Sequence, residues 1–277
     1  MSIEKFINLE KIDKNLKKYF KKYNKAYPFP YIILDNFLTE ECISKTLEGY
    51  EKVNWTSYNH FNENKSGNKT TNFDPLLSDT IGALNSRQFL DRLEKITGIK
   101  SLIPDHELGS GGVHRSTTGG YLNIHADFTV HPYNHDWHRR VNVLIYLNKK
   151  WDDNWGGQLE LWDKKMKNCI TKISPIFNRC VIFNTDYNSF HGHPEPMCCP
   201  ENTYRKSIAL YYYTKTKKGV KTIATNYKPR PKDNLLKRCL IYIDKSLVSI
   251  FHFLKMKFKL SDIFFTRIND LFKIKKK

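Results

Sequence analysis

His125 and Asp127 stand two residues apart in the run Tyr121-Leu122-Asn123-Ile124-His125-Ala126-Asp127-Phe128, and His191 lies downstream in Ser189-Phe190-His191-Gly192-His193-Pro194. Two imidazoles and one carboxylate suit a non-haem Fe(II) centre, which takes three protein ligands on one face and keeps the opposite face open. In a strand, residues i and i+2 point to the same side, so His125 and Asp127 can reach one metal together. Tyr121, Asn123, His125 and Asp127 would then line a pocket, and Leu122, Ile124 and Ala126 would pack outward. Among ten histidines a single His-x-Asp pair is a weak signal; the distant His adds little by itself, and the surrounding context, with the downstream Arg205, adds more. His193 rivals His191 as the remote ligand, because the two share a side if that stretch is extended.

Arg205 opens the strand Arg205-Lys206-Ser207-Ile208-Ala209-Leu210-Tyr211-Tyr212-Tyr213. Alternation puts Arg205, Ser207, Ala209, Tyr211 and Tyr213 on one face, and Lys206, Ile208, Leu210 and Tyr212 on the other. A guanidinium fork with a hydroxyl beside it is a carboxylate receptor. Arg205 is the anchor for an acidic co-substrate if the small-and-aromatic face is the inner one; Lys206 is the solvent-side alternative.

The stretch from about Phe29 to Thr214 resembles the prolyl 4-hydroxylase-like branch of the 2-oxoglutarate and Fe(II)-dependent dioxygenases. The motifs that carry it are Asn123 to Phe128, Arg139-Arg140-Val141-Asn142-Val143-Leu144-Ile145-Tyr146-Leu147-Asn148, Trp155-Gly156-Gly157-Gln158-Leu159-Glu160-Leu161-Trp162, Phe177 to Thr185, and Phe190 to Pro194 leading to Arg205. The resemblance implies a mainly β fold with flanking helices, a double-stranded β-helix (a jelly-roll, cupin-like barrel) with the metal near one mouth. It implies that His125, Asp127 and His191 bind Fe(II) and are catalytic, His191 being preferred to His193 because a short segment ending in Pro194 or Pro196 comes after it. Arg205 and Tyr146 would hold the far carboxylate of 2-oxoglutarate, with Ser207 beside them and Leu159 as an apolar wall. Asn142 shares a strand face with Tyr146 and would look into the same pocket. His114 and His193 are the weaker substrate-facing candidates.

The implied activity is hydroxylation of an unactivated C–H, using O2 and 2-oxoglutarate and supported by ascorbate. A prolyl residue of a protein or peptide is the expected substrate, with a small molecule or a lipid-linked glycan as the alternative. A different class of protein, a non-catalytic jelly-roll binding module with a structural metal, would lack turnover.

Positioning these residues takes a sizeable scaffold. The chain has 277 residues, with 17 Phe, 16 Tyr and 5 Trp, enough for one large core plus extensions. Six cysteines include no Cys-x-x-Cys pair, so neither a zinc ribbon nor a disulfide framework is expected. That usage, with no apolar signal core after Met1, points to a cytoplasmic protein. The net charge of +18 is uneven: residues 215–277 hold 18 Lys/Arg against 4 Asp/Glu, residues 1–25 hold 8 Lys against 3 acids, and the middle is near neutral. The basicity therefore belongs to the ends and not to the barrel.

Three regions are expected: a basic amphipathic N-terminal helix over 1–26, the dioxygenase domain over 27–214, and a basic linker with helices over 215–277. Within the domain, Tyr31 to Leu34 reads as a strand. Thr39 caps a helix running to about Val53, and another helix runs near Ser86 to Thr97. Residues 56–80 read as an Asn-rich loop, and Phe128 to Arg140, with His131, His135 and His138 as substrate-facing or surface residues, as a loop beside the metal. After a linker to Lys232, Asn234 to Lys259 reads as a helix whose apolar stripe runs through Leu235, Leu236, Cys239, Leu240, Ile243, Leu247, Ile250, Phe251 and Leu254. A second short helix is expected over Asp262 to Ile274. These helices either pack on the core or a second subunit, or lie peripherally on an anionic membrane. Nucleic-acid contact is disfavoured, since no motif of a known nucleic-acid fold is present.

Overall fold

A computed structural model of the chain describes residues 3–68, 72–109, 111–215 and 222–258. The expected helix over Asp262 to Ile274 lies outside them. In chain order the elements are α1 (Leu9–Lys25), β1 (Tyr31–Leu34), α2 (Glu40–Glu51), β2 (Thr56–His60), β3 (Glu63–Asn68), α3 (Pro75–Leu84), α4 (Arg87–Thr97), β4 (Ile103–Pro104), β5 (Gly112–Ser116), β6 (Tyr121–Ala126), β7 (Trp137–Tyr146), β8 (Leu159–Trp162), β9 (Cys169–Ile173), β10 (Cys180–Asn184), β11 (His191–His193), β12 (Arg205–Lys215), β13 (Asn226–Tyr227) and α5 (Leu235–Phe258).

The strands pair antiparallel in the order β1-β10-β7-β12-β5-β3-β6-β11-β8-β9, with β13 on β6, β2 on β3 and β4 on β12. The sheet curls on itself, so that β7 and β12 form one wall and β6 and β11 the other. This is the double-stranded β-helix expected from the motifs. Alternation along β7 shows how the barrel divides its residues. Val141, Val143 and Ile145 join the main core beneath the helices, whereas Tyr146 packs inside with Phe29, Leu159, Leu161, Val181 and Phe183. Ile124 and Ala126 close the outside of the opposite wall with Trp162 and Phe190.

Helix boundaries obey local chemistry. Thr39 accepts from the Cys42 N–H, Asp74 accepts from the Leu76 N–H, and Ser86 accepts from the Phe89 N–H, each satisfying a donor that the first turn leaves orphaned. α4 ends at Gly98 with φ +76°, a left-handed cap that glycine adopts without strain.

The structure departs from expectation in several elements. Trp137 to Arg140, expected in a loop, are the first residues of β7. Residues 56–80 are a β2–β3 hairpin followed by α3. Polar strands of this kind carry little intrinsic signal; they form here because β5 and β6 offer partners, Gly67 opposite His114 and Glu63 opposite Leu122. The N-terminal region does not stand apart, since Ile3, Ile7, Leu9 and Ile12 are buried in the same cluster as α2, α3 and α4. The supposed linker after Thr214 contributes β13, whose Tyr227 sits opposite His125.

Candidate metal and co-substrate site

His125 is the penultimate residue of β6, next to β11, and His191 begins β11 directly opposite it. Asp127 lies one residue beyond β6. One donor atom from each of His125, Asp127 and His191 lies within 4.8 Å of the others. His125 Nε2 is 3.5 Å from Asp127 Oδ1, and His191 Nε2 is 3.6 Å from Asp127 Oδ2.

Each imidazole is oriented by its own strand. His125 Nδ1 donates to the Asn123 carbonyl at 2.9 Å, and His191 Nδ1 donates to the Ser189 carbonyl at 2.8 Å. A carbonyl can only accept, so Nδ1 carries the proton and Nε2 presents its lone pair to the shared centre. Burial pushes the His191 imidazole down to about 4, which keeps it neutral, the form that ligates a metal.

Asp127 is held from behind by β7. Asn142 Nδ2 donates to Asp127 Oδ2 at 2.8 Å, and Arg139 Nη2 stands 3.1 Å from the same oxygen. Arg139 also donates to Asn142 Oδ1 at 3.1 and 3.0 Å and stacks over Tyr211 at 3.4 Å. Burial alone would raise the Asp127 carboxyl; Arg139, His191 and His125 outweigh it and hold the group well below 3.8.

The second half of the site lies on β12. Arg205 is buried, with Nε donating to the Gly157 carbonyl at 2.6 Å and Nη2 to the Tyr146 hydroxyl at 3.1 Å. Gly157 has φ +74°, and a Cβ there would lie 3.0 Å from Arg205 Cδ; glycine lets its carbonyl approach the guanidinium. Arg205, Ser207, Ala209 and Tyr211 all line one cavity of about 670 Å³, so the small-and-aromatic face is the inner one. Lys206 pairs with Glu51 on the outside.

His114, Leu159, Asn142, His193 and the three metal-site residues line the same cavity, and Tyr146 reaches it through Arg205. His193 lies two residues past His191 and opposite Leu122, away from the cluster of donors. It is 5% exposed, and among the described residues its Nδ1 has no hydrogen-bond partner. An orphaned buried polar atom costs about 1–3 kcal/mol, a cost that a ligand accepting from or donating to it in the cavity would offset. The donor set thus fits Fe(II), and the cationic end of the cavity fits a dicarboxylate.

Several functional neighbours escaped strict alternation. Asn142 faces inward, so alternation turns Arg139 out. β7 carries a bulge that sets Tyr212 opposite Val141 but Tyr213 opposite Arg139; the extra residue, Arg140, brings Arg139 inside. A second bulge in β6, with two steps of β11 matching three of β6, turns Leu122 into the cavity. Asn123, expected to line the pocket, is instead buried against Asn62, donating to its Oδ1 at 3.0 Å. His131 is also corrected: it is fully buried against Asp105 at 3.3 Å and is neither substrate-facing nor on the surface. Glu63, Lys65, Tyr227, Val248 and Phe251 line the cavity from segments that read as loop, linker or distant helix.

Comparison with known proteins agrees with this geometry. Residues 111–213 match the family model of the 2OG-Fe(II) oxygenase superfamily. The matched segment runs from β5 into β12 and contains His125, Asp127, Tyr146, His191 and Arg205. The chain is 33% identical over 79 residues to the mouse (Mus musculus) prolyl 3-hydroxylase OGFOD1, a match covering 27% of this chain and only 14% of that relative. A Trichoplax adhaerens prolyl hydroxylase, solved with a hypoxia-inducible-factor peptide fragment, shares the fold at TM-score 0.53 and 22% identity, over 74% of this chain and 92% of its own. HygX of Streptomyces hygroscopicus, solved with nickel, 2-oxoglutarate and hygromycin B, shares it at TM-score 0.51 and 10% identity, over 77% and 97%.

Proposed function

We propose that the protein is a 2-oxoglutarate- and Fe(II)-dependent hydroxylase of an unactivated C–H, acting on a prolyl residue of a protein or peptide. The observation that carries this reading is one cavity holding both a His125–Asp127–His191 donor cluster and a buried Arg205–Tyr146 anchor. His125, Asp127 and His191 would hold Fe(II); Arg205, Tyr146 and Ser207 would bind the distal carboxylate of 2-oxoglutarate. When bound, the iron and co-substrate supply the oxidation of C–H by O2. The chain's own residues supply orientation. Asn142 and Arg139 fix the Asp127 carboxylate, the Asn123 and Ser189 carbonyls fix the imidazoles, and Leu159 and Phe183 exclude water from the co-substrate slot. Prolyl hydroxylation is supported by the resemblance to OGFOD1 in sequence and to the Trichoplax enzyme in fold.

A second reading, hydroxylation of a polar small molecule or a sugar, is favoured by one observation. The cavity wall carries a half-buried Glu63–Lys65 pair at 2.9 Å together with His60, groups that recognise hydroxyls and amines better than a proline ring.

The test is succinate formation by the full chain with Fe(II), 2-oxoglutarate and ascorbate, run against a proline-containing peptide library and a panel of sugars and amino sugars. Peptide-dependent succinate with a mass gain of one oxygen supports the first reading. Turnover with sugars alone replaces it with the second. No succinate with either, despite bound metal, returns the protein to a non-catalytic binding module.

A further inference from the structure

α5 has two faces, and the stripe that looks like a core face is the one turned to solvent. Leu236, Ile243, Leu247 and Ile250 recur at helical spacing along one line and are 69%, 57%, 53% and 57% exposed. The face that packs on the barrel carries Ile241, Asp244, Val248 and Phe251. Asp244 accepts from Asn62 Nδ2 at 2.6 Å and pairs with His60 Nδ1 at 2.8 Å, while Val248 and Phe251 line the active-site cavity. A contiguous apolar surface of this kind marks an interaction site.

Its surroundings identify the occupant. Next to the first turns of α5 is a hollow lined by Lys164, Lys165, Lys228 and Arg238, with Tyr187 and Tyr242 at its rim and no acidic residue in its lining. Tyr187 is 58% exposed. Residues 215–277 carry a net charge of +14. A second copy of the chain would bring two such charges together across the interface. An anionic bilayer instead offers acyl chains to the apolar stripe and phosphates to the basic hollow, with tyrosine at the level of the headgroups. Among the described residues, no helix is long and apolar enough to cross a membrane, so α5 would lie along the surface.

We infer that the outer face of α5 docks the protein on an anionic membrane surface. Val248 and Phe251 face the cavity while their neighbours Leu247 and Ile250 face out, so docking holds the active-site wall within one helix diameter, about 10 Å, of the lipid. Docking is independent of turnover.

The test is flotation of the full chain with vesicles of phosphatidylcholine alone and of phosphatidylcholine with phosphatidylserine, beside sedimentation without lipid. The expected result is co-flotation with the phosphatidylserine vesicles, weakened by high salt. The triple variant Ile243→Glu, Leu247→Glu, Ile250→Glu should bind at least about tenfold more weakly, with an unchanged thermal melt. Should it melt early, Leu236→Ser with Ile243→Ser asks the same question more gently. Three results overturn the inference: no flotation of the unaltered chain, equal flotation of stripe variants that still fold, or a dimer in solution that the stripe substitutions dissociate.

Discussion

Arg139→Met is the most informative single change, because it separates the stability of the metal site from its occupancy. Arg139 is 1% exposed and its Nη2 lies 3.1 Å from Asp127 Oδ2. At that distance an effective dielectric of about 20 gives an attraction of about 5 kcal/mol. Breaking a buried pair by removing one partner costs about 3–5 kcal/mol, so the two values agree. Methionine keeps the stem that packs on Tyr211 and Phe128 but removes the charge. The metal-free variant should unfold about 3–5 kcal/mol more easily, a fall in melting temperature of roughly 10 °C for a chain of this size. A divalent metal takes over the neutralisation of Asp127, so saturating Mn(II) or anaerobic Fe(II) should restore most of that loss. By linkage, the variant should bind metal more tightly than the parent protein. Thermal melts with and without metal, and titration calorimetry, read both effects. A loss below about 1 kcal/mol, or the same loss with and without metal, would refute the reasoning.

Asp127→Ala should abolish stoichiometric metal binding, whereas His193→Ala should retain it and weaken 2-oxoglutarate or substrate binding; equilibrium dialysis with Mn(II) distinguishes the two histidines of β11. Gly157→Ala places a Cβ 3.0 Å from Arg205 Cδ and 2.7 Å from Met197 Sδ, so it should raise the 2-oxoglutarate requirement at least about tenfold, equivalent to about 1.4 kcal/mol, without loss of metal. Burial alone would lower the His60 imidazole, but Asp244 and Glu63 outweigh it and raise it from 6.5 to about 9. A raised folded value stabilises below pH 6.5 and is lost as pH rises through 9. Urea unfolding should therefore show roughly 3 kcal/mol less stability at the upper end of that window, and His60→Gln should flatten the slope. Phe251→Ala enlarges the cavity at the α5 wall; it should change which substrates stimulate succinate formation while leaving metal binding intact.

The chemistry of the site was legible in residue types and strand parity. His125, Asp127, His191, Arg205, Ser207 and Tyr146 come together because β6, β7, β11 and β12 are regular enough for i, i+2 reasoning over most of their length. Where a bulge interrupts β6 or β7, parity fails, and Leu122, Asn123 and Arg139 fall on the wrong side. A bulge is decided by how two strands register against each other, which no single strand encodes. The polar β2–β3 hairpin was illegible for a related reason: its strands exist because β5 and β6 have edges to fill.

The C-terminal helix marks the same boundary most sharply. Its sequence determines that it is helical and amphipathic, and that it and its neighbours are basic. The sequence leaves open whether its apolar stripe packs on the core or lies outside it. Tertiary structure divides that stripe, because Asp244 finds His60 and Asn62 and turns Phe251 inward while Leu236, Ile243, Leu247 and Ile250 face out. A buried carboxylate needs specific partners, whereas an apolar stripe accepts any nonpolar surface. The polar lock therefore decides the orientation, and what the apolar stripe covers is settled outside the chain.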